Sequence, residues 1–529
     1  MTYWSSLFLG AFLPLTILIY NLMPQKHRWK VLLVASCLFF WSISGKLLAY
    51  LIFSVIVMHD FGLWFTSIQN EKEEILRNLE KEKKKEIKEK YQKIQRRGVI
   101  FTSLIQIGIL AVLKYSGFVG TNINSLLNAL NIPIQLSISK FAIPIGISFY
   151  TLQAVSYMVD VYKGKIKADS NIFRLALYMI FFPQIMEGPI CRYSETAEQL
   201  WKGEKTSYKN LTFGLQRMLF GLMKKMVIAD RLNPLIISIF DNYAKYDGGI
   251  VAIGMILYTL QLYMDFSGTI DIAIGISEIF GVKLPENFKQ PFFSKTISEF
   301  WNRWHITLGA WFKDYIFYPV SLTDKCKKIT SKLRKKVGNF YGPLVASSIA
   351  LFCVWICNGI WHGSDWNYIF FGMYHFVLIL IGRIIEPLVK KINAKLHINS
   401  NNPVYKGIQM IRTTILVFIG ELFFRANSLK DGFAMFNEMC TKFSFNLIKD
   451  GTILKLGIDK YDFIIVAITS IIILVVSILK ERKIKIRESI ATKNIVIRWT
   501  LYFALIIMIV IFGAYGIGYI PVNPIYAEF

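Results

Sequence analysis

A histidine in the motif Trp361-His-Gly363 is the strongest candidate for chemistry in this sequence. His362 lies in the turn between two apolar segments, 343–361 and 366–387, whose outer flanks are basic. Because both flanks should lie in the cytoplasm, the turn should reach deep into or across the membrane. An ionisable side chain placed there is energetically costly and is a functional candidate by default. Neutral imidazole can act as a general base because its pKa lies near 7. From the residues alone, a catalytic base and a packed structural histidine are equally compatible.

The neighbours of His362 supply polar groups to the same turn. Asn358 precedes it by one helical turn and could orient the imidazole ring, while Trp361 and Asp365 flank it. We predict that Asn358, Trp361 and Asp365 line the substrate site. A Ser-His-Asp triad with Ser364 is disfavoured, since three neighbours in one tight turn rarely converge in that geometry.

A second histidine, His305, lies in a segment rich in aromatic residues, 299–315. The spacing predicts a helix with Trp301, His305, Leu308 and Phe312 on one face, and Arg303 and Asp314 on others. Such a helix suits a membrane interface or the wall of an aqueous cavity. By itself His305 is better explained as an interfacial anchor, and Arg303 and Asp314 are candidates for the cavity wall.

Further polar residues interrupt apolar blocks at two places. We predict that they line a substrate tunnel: Gln184, Arg192, Tyr263, Asp265 and Ser267. Pro183, Gly188 and Pro189 should break the helix around Gln184, which membranes tolerate only beside protein or a cavity. A transporter would use the same residue types for an ion or proton path, so composition leaves that alternative open.

Several classes of site are absent from the sequence. It has no G-x-S-x-G, H-E-x-x-H, P-loop or G-x-G-x-x-G motif, which argues against a serine hydrolase, a zinc protease and an ATP-driven pump. Its six cysteines form no CxxC pair and no zinc spacing. No metal site, permanent cofactor or disulfide framework is expected.

The elements that must position these residues are membrane spans. Of the 529 residues, 54% are hydrophobic and 18% charged, with a mean hydropathy of +0.43, and the apolar residues form long blocks. We predict an all-α polytopic membrane protein with about 11–13 transmembrane or re-entrant helices. The apolar segments are 5–23, 30–44, 47–67, 98–115, 141–160, 171–190, 210–240, 249–282, 343–361, 366–387, 409–424, 462–479 and 499–520.

The net charge of +26 is spread over short loops between these segments, which indicates orientation in a membrane rather than nucleic-acid binding. The positive-inside rule puts these basic loops in the cytoplasm and both termini outside. The one long hydrophilic run, 71–97, holds 11 Lys or Arg and 7 Glu. We predict that it is a charged cytosolic helix on the membrane surface; a docking site for a cytosolic partner is the less favoured alternative.

The sequence resembles the membrane-bound O-acyltransferase family, in its bacterial branch that modifies exported polysaccharides, typified by alginate O-acetylation proteins. The resemblance covers most of residues 1–385. It rests on seven motifs in the right order: Ser5–Leu15, Pro144–Tyr150, Phe182–Pro189, Leu262–Gly268, Glu286–Pro291, Phe300–His305 and Trp361–Gly363.

This resemblance implies a ring of tilted helices around a central tunnel, with residues 1–390 as the acyltransferase core and 391–529 as C-terminal transmembrane helices. It implies that His362 is catalytic and that His305 is a second family position nearer the cytosolic face. The donor would be acetyl-CoA or a carrier-protein thioester.

The acceptor would be a hydroxyl of a cell-envelope polysaccharide, reached directly or through an extracytoplasmic acyltransferase or relay protein at the bacterial plasma membrane. A cytosolic acyl carrier protein is a further expected partner, and D-alanyl transfer to teichoic acid is the alternative activity. The Gly-Gly-Asn-Arg loop typical of alginate-type members is replaced here by a Lys-rich stretch after Tyr315, which leaves the donor open.

Overall fold

The computed structural model describes residues 1–77, 80–138, 141–516, 519 and 522, and most of these residues are helical. Within them the only β-type pairing is an isolated bridge between Phe288 and Trp304. The predicted all-α class is confirmed. The last part of the predicted span 499–520 and part of the run 71–97 lie outside the described residues.

The chain packs as two compact units. The first combines Met1–Met218 with Ile272–Pro285, and the second combines Leu219–Asp271 with Glu286–Phe529. The helices of the N-terminal part are α1 Leu13–Leu22, α2 Gln25–Ser44, α3 Leu48–Arg77, α4 Lys81–Ala129, α5 Ile147–Tyr162, α6 Ile172–Ile180, α7 Tyr193–Lys202 and α8 Tyr208–Leu222. Those that follow are α9 Asp230–Asp241, α10 Gly248–Ile279, α11 Ile297–Arg303, α12 Ile306–Phe312, α13 Tyr318–Ser321, α14 Asp324–His362, α15 Trp366–Lys395, α16 Pro403–Arg425, α17 Leu429–Thr441, α18 Asn446–Lys449, α19 Lys460–Glu481, α20 Ile486–Ala491 and α21 Ile495–Phe512.

Eight helical segments of the described chain are long and apolar enough to cross a membrane. One of them, Gln25–Arg77, has 53 residues and contains both α2 and α3, and a shorter apolar helix runs from Phe8 to Leu22. A span needs about 20 apolar residues. The chain is therefore a multi-pass membrane protein, as predicted.

The predicted break around Gln184 is present. Helix α6 ends at Ile180, and residues 181–192 carry a series of turns up to the start of α7. Within them Gln184 N donates to Phe181 O and Gly188 N donates to Gln184 O. A side chain at Gly188 would approach Gln184 Cα within 2.3 Å, so this turn requires glycine.

The charged run does not form one surface helix. Its first part extends α3 to Arg77 and its second part begins α4 at Lys81, so the run forms the facing ends of two packed helices. The reason is a set of contacts between the two arms: Tyr91 Oη donates to Glu71 Oε1 at 2.6 Å, and Gln95 Nε2 donates to Phe65 O. The sequence pattern showed the helical character of the run but not the turn inside it.

Candidate active site

The end of α14 and the start of α15 position His362. His362 is the last residue of α14, and α15 begins at Trp366 with Asp365 as its N-cap, whose carboxylate accepts from Trp366 N. The two helices approach closely at a pair of glycines: a Cβ on Gly372 would meet Trp355 O at 2.4 Å and Gly359 Cα at 3.2 Å. This close packing fixes where the end of α14 lies relative to α15.

His362 is buried, with 3% of its surface exposed, in a cage of aromatic rings. Its ring centroid lies 4.9 Å from Trp361, 5.2 Å from Phe424 and 5.9 Å from Phe371, all in edge-to-face arrangements. Phe424 comes from α16, so three helices define the imidazole position. An imidazole held this firmly is preorganised for proton transfer.

Asn358 lies one turn before His362 and is buried. Within the part of the chain that the structure describes, its Oδ1 meets no hydrogen-bond donor. A buried amide oxygen without a donor is unusual in a native protein. It offers an acceptor to a substrate hydroxyl or a water molecule beside His362, and the predicted role in orienting the imidazole ring stays a prediction.

Trp361 connects the two predicted catalytic histidines. Its ring centroid is 4.9 Å from His362 and 5.6 Å from His305, so one indole contacts both imidazoles. His305 also packs against the ring of Phe266 from α10 at 4.8 Å. The structure therefore brings His305, Trp361 and His362 into one cluster.

The backbone around His305 differs from the predicted helix. Helix α11 ends at Arg303 and α12 begins at Ile306, and His305 between them has the left-handed φ of 47°. The predicted shared helical face of Trp301, His305, Leu308 and Phe312 is therefore wrong. Left-handed φ is uncommon for a residue other than glycine and persists where surrounding contacts impose it.

Those contacts come from Asn287, which the sequence analysis did not single out. Its Oδ1 accepts from Thr307 N and from Thr307 Oγ1, both at 3.0 Å, and lies 3.3 Å from His305 Nδ1. Its carbonyl accepts from Ile306 N. Asn287 thus holds both the imidazole and the first turn of α12; the motif Glu286–Pro291 was the available signal.

His305 is 2% exposed, and this burial lowers its pKa to about 3. Removing imidazolium from water is unfavourable, so the ring is neutral over the physiological range. A neutral His305 can bind a polar substrate group through one nitrogen while the other faces Asn287.

The predicted tunnel residues on α10 divide between two environments. Tyr263 packs among the rings of Phe288, Phe292 and Trp304, with ring centroids 5.2 to 5.8 Å apart. Trp304 directly precedes His305 in the chain. Its ring also faces the Lys224 ammonium at 5.8 Å. Tyr263 therefore joins the aromatic wall that carries His305.

Asp265 and Ser267 take part in a buried charge network, and their predicted place in the tunnel wall stays a prediction. A π-helix at Met223–Ala229 places Lys224 and Lys225 against α10. Lys225 Nζ lies 2.6 Å from Asp265 and 2.7 Å from Asp230, and Lys224 Nζ lies 2.6 Å from Asp271 and 3.2 Å from Ser267 Oγ. The sequence analysis missed both lysines, because they lie inside the apolar block 210–240.

Arg303 makes ion pairs with residues outside the histidine cluster. Arg303 is partly exposed and pairs with Glu299 at 2.9 Å and with Glu481 of α19 at 2.8 Å. Asp314 is half-buried in the π-helix Lys313–Phe317. Their predicted role in the cavity wall stays a prediction.

Gln184 and Arg192 belong to the first compact unit. Gln184 is buried and its Nε2 donates to Tyr178 O at 2.8 Å. Arg192 is the N-cap residue of α7, where its backbone N donates to Glu195 Oε2. Both residues stabilise the segment that follows α6, and their predicted substrate contacts stay predictions.

Among the described residues, no group of three or more His, Cys, Asp or Glu has an arrangement that could hold a metal ion. The polar groups in and beside the histidine cluster include two imidazoles, the Trp361 indole and the side-chain amides of Asn287 and Asn358. The imidazoles can accept and donate protons, and the amide and indole groups can form hydrogen bonds with a hydroxyl or a carbonyl. The cluster is suited to acyl transfer by general acid–base catalysis.

Comparisons with known proteins give the cluster a family context. A sequence model of the membrane-bound O-acyltransferase family matches residues 99–333, which include His305 and end before His362. The chain is 30% identical over 451 residues to the probable alginate O-acetylase of Pseudomonas aeruginosa, an alignment that covers 84% of this chain and 75% of the relative. It is 28% identical over 371 residues to the peptidoglycan O-acetyltransferase of Helicobacter pylori, covering 65% of each chain.

A further relative shares a shorter region. The teichoic acid D-alanyltransferase of Bacillus subtilis is 33% identical over 252 residues, covering 47% of this chain and 60% of that one. The acyltransferase interpretation is thus better supported than the transporter alternative. The chain belongs to the membrane-bound O-acyltransferase family and is an O-acyltransferase.

Proposed function

We propose that this protein transfers an acetyl group from a cytosolic thioester to a hydroxyl of an exported cell-envelope polysaccharide, with His362 as the general base. The observation that carries the proposal is the buried cluster of His362, Trp361 and His305 at the end of α14. The O-acetylase relatives, whose acceptors are alginate and peptidoglycan by name, support acetyl as the group and a glycan as the acceptor.

In the proposed reaction, His362 removes the proton from the acceptor hydroxyl as the oxygen attacks the thioester carbonyl carbon. The new carbon–oxygen bond forms, the carbon–sulfur bond breaks, and the leaving thiolate takes the proton from His362, which returns to its neutral form. Neutral His305 and Asn358 are placed to bind the acyl carbonyl or the hydroxyl. General-base catalysis contributes about 10²–10⁴-fold, and positioning supplies much of the remaining acceleration.

The donor and partners follow from the same chemistry. Acetyl-CoA or an acyl carrier protein would present the thioester on the cytosolic side, and the acceptor would be the glycan itself or an extracytoplasmic relay protein. The basic loops support a location in the bacterial plasma membrane with both termini outside.

The test is mass analysis of acyl groups released by mild base from the envelope glycans of cells with the gene deleted and restored. Acetate that is lost on deletion and recovered on restoration would support the proposal. Unchanged acyl esters after deletion would refute it.

D-alanyl transfer from a carrier protein is the second candidate. It is favoured by the similarity to the teichoic acid D-alanyltransferase and by the lysine-rich start of α14, residues 325–336, which could meet an acidic carrier. The same experiment separates the two functions, because D-alanine would replace acetate among the base-released groups.

A further inference from the structure

A basic cavity of about 360 Å³ lies where α3, α4 and the end of α5 meet in the first unit. Its six lining residues are three lysines, two glutamines and a tyrosine: Lys72, Lys88, Lys163, Gln92, Gln95 and Tyr162. The lining thus supplies positive charge and neutral hydrogen-bonding groups, and none of the six is acidic.

The walls of this cavity are fixed by hydrogen bonds around it. Gln69 Nε2 donates to Val161 O at 2.9 Å, which ties α3 to the end of α5. Gln95 is 3% exposed and its Nε2 donates to Phe65 O, which ties α4 to α3. The lysines therefore project from a preformed frame, and an anion binding there need not order the backbone.

Two nearby carboxylates have contacts with residues outside the lining. Glu71 accepts the hydrogen bond from Tyr91, and Asp160 pairs with Lys165 at 3.5 Å. Three ammonium groups around one cavity attract an anion, and a tetrahedral oxyanion can accept hydrogen bonds from several lysines and amides at once.

The position along the helices places the cavity beyond the apolar part of the spans. Lys72 follows the exposed Trp64 by eight residues on α3, about 12 Å of helix. Lys88 precedes the exposed Ile100 by twelve residues on α4, about 18 Å of helix. The headgroup layer of a bilayer adds about 5–8 Å on each side of the hydrocarbon. At these distances along the helices, the cavity lies at or beyond the outer edge of the headgroup layer, on a face that the basic loops assign to the cytoplasm.

We propose that this cavity binds a phosphate group through Lys72, Lys88 and Lys163. Two sources carry that group on this side of the membrane: the headgroup of an anionic phospholipid and a soluble phosphate compound. The proposal is independent of the acyl-transfer chemistry, because its residues lie in the first unit and the histidine cluster lies in the second.

The test uses the full-length protein in nanodiscs and measures how fast each lysine reacts with an amine-specific reagent, by mass spectrometry. One arm compares phosphatidylglycerol with phosphatidylcholine nanodiscs, and the other adds inorganic pyrophosphate to phosphatidylcholine nanodiscs. Exposed lysines of α4 outside the lining, Lys85 and Lys90, are internal controls. A triple variant, K72Q/K88Q/K163Q, is compared with a matched triple, K83Q/K85Q/K90Q, for retained phosphatidylglycerol and for pyrophosphate affinity.

We expect selective protection of Lys72, Lys88 and Lys163 in at least one arm, and binding about ten- to a hundredfold weaker in the cavity variant than in the matched variant. Protection by phosphatidylglycerol alone assigns a lipid headgroup, and protection by pyrophosphate assigns a soluble phosphate compound. The proposal would be overturned if neither phosphatidylglycerol nor pyrophosphate slowed the reaction of the cavity lysines more than that of the control lysines. Equal binding by the two triple variants would also overturn it. The reactivity measurement needs only the wild-type protein, so it can refute the proposal even if a variant misfolds.

Discussion

Replacing Lys225 by methionine should destabilise the protein far more than replacing Asp265 by asparagine. Lys225 is fully buried between two carboxylates, Asp230 and Asp265, which are 8% and 1% exposed. When all three groups are ionised, they carry one positive and two negative charges. Lys225→Met removes the cation and leaves both buried carboxylates without it, whereas Asp265→Asn leaves Lys225 paired with Asp230.

Breaking a buried ion pair by removing one partner costs about 3–5 kcal/mol. A loss of that size is expected for Lys225→Met, and at roughly 2 °C per kcal/mol for a unit of about 300 residues it lowers the melting temperature by about 6–10 °C. Asp265→Asn exchanges a carboxylate acceptor for a neutral amide acceptor, which Lys225 can still bind, and should cost about 1.5 kcal/mol or less. The triple variant K225M/D230N/D265N, which removes all three charges, should recover much of the loss caused by Lys225→Met.

The assay is thermal unfolding of detergent-solubilised protein followed by fluorescence at one fixed heating rate, because unfolding of such proteins is commonly irreversible. Membrane levels of each variant provide a second readout. If Asp265→Asn destabilised the protein as much as Lys225→Met, the charge argument would fail.

Three further predictions follow from single contacts. Gly372→Ala should destabilise the α14–α15 hairpin by about 1–3 kcal/mol, because its Cβ would meet Trp355 O at 2.4 Å. The control is Gly382→Ala on the same helix, whose Cβ would meet nothing within 4 Å and which should be neutral or stabilising. Thermal unfolding of the two variants tests this difference. Asn287→Ala removes the acceptor of three groups and should cost about 1–3 kcal/mol and slow acyl transfer; unchanged transfer and melting would contradict the role of Asn287 in holding His305. The pKa of His305 is about 3 in the folded chain against an ordinary 6.5. The unfolded state therefore binds more protons between these two values, and the free energy of unfolding falls as pH decreases through that window. His305→Gln should lose less stability than wild type between pH 6.5 and 4.5, and equal losses in melting temperature would refute the low pKa of His305.

The features that sequence periodicity and composition could predict are those set by local apolar pattern. The turn that ends α14 at His362 was predicted because apolar blocks flank a short polar motif, and the break after α6 was predicted because Pro183, Gly188 and Pro189 cannot continue a helix. Both are properties of neighbouring residues in the chain, which is why they can be read without knowledge of the tertiary structure.

The features that could not be predicted depend on contacts between distant residues. The helix expected across His305 is broken, because Asn287 binds the groups that such a helix would use. The ion pair of Asp265 was missed because its partner Lys225 lies 40 residues earlier in the chain. No helical or strand periodicity relates such pairs, so only the packed structure identifies them.

The most direct test of the central claim is acyl transfer by His362→Ala, measured as base-released acyl groups on envelope glycans in cells that lack the wild-type gene. The matched control is His397→Ala, at an exposed histidine beyond α15, and membrane levels of both variants must equal that of wild type. We predict that His362→Ala lowers transfer by at least about 100-fold, the lower bound for a general base, while His397→Ala transfers normally. Wild-type transfer by His362→Ala at wild-type membrane levels would contradict the assignment of His362 as the catalytic base.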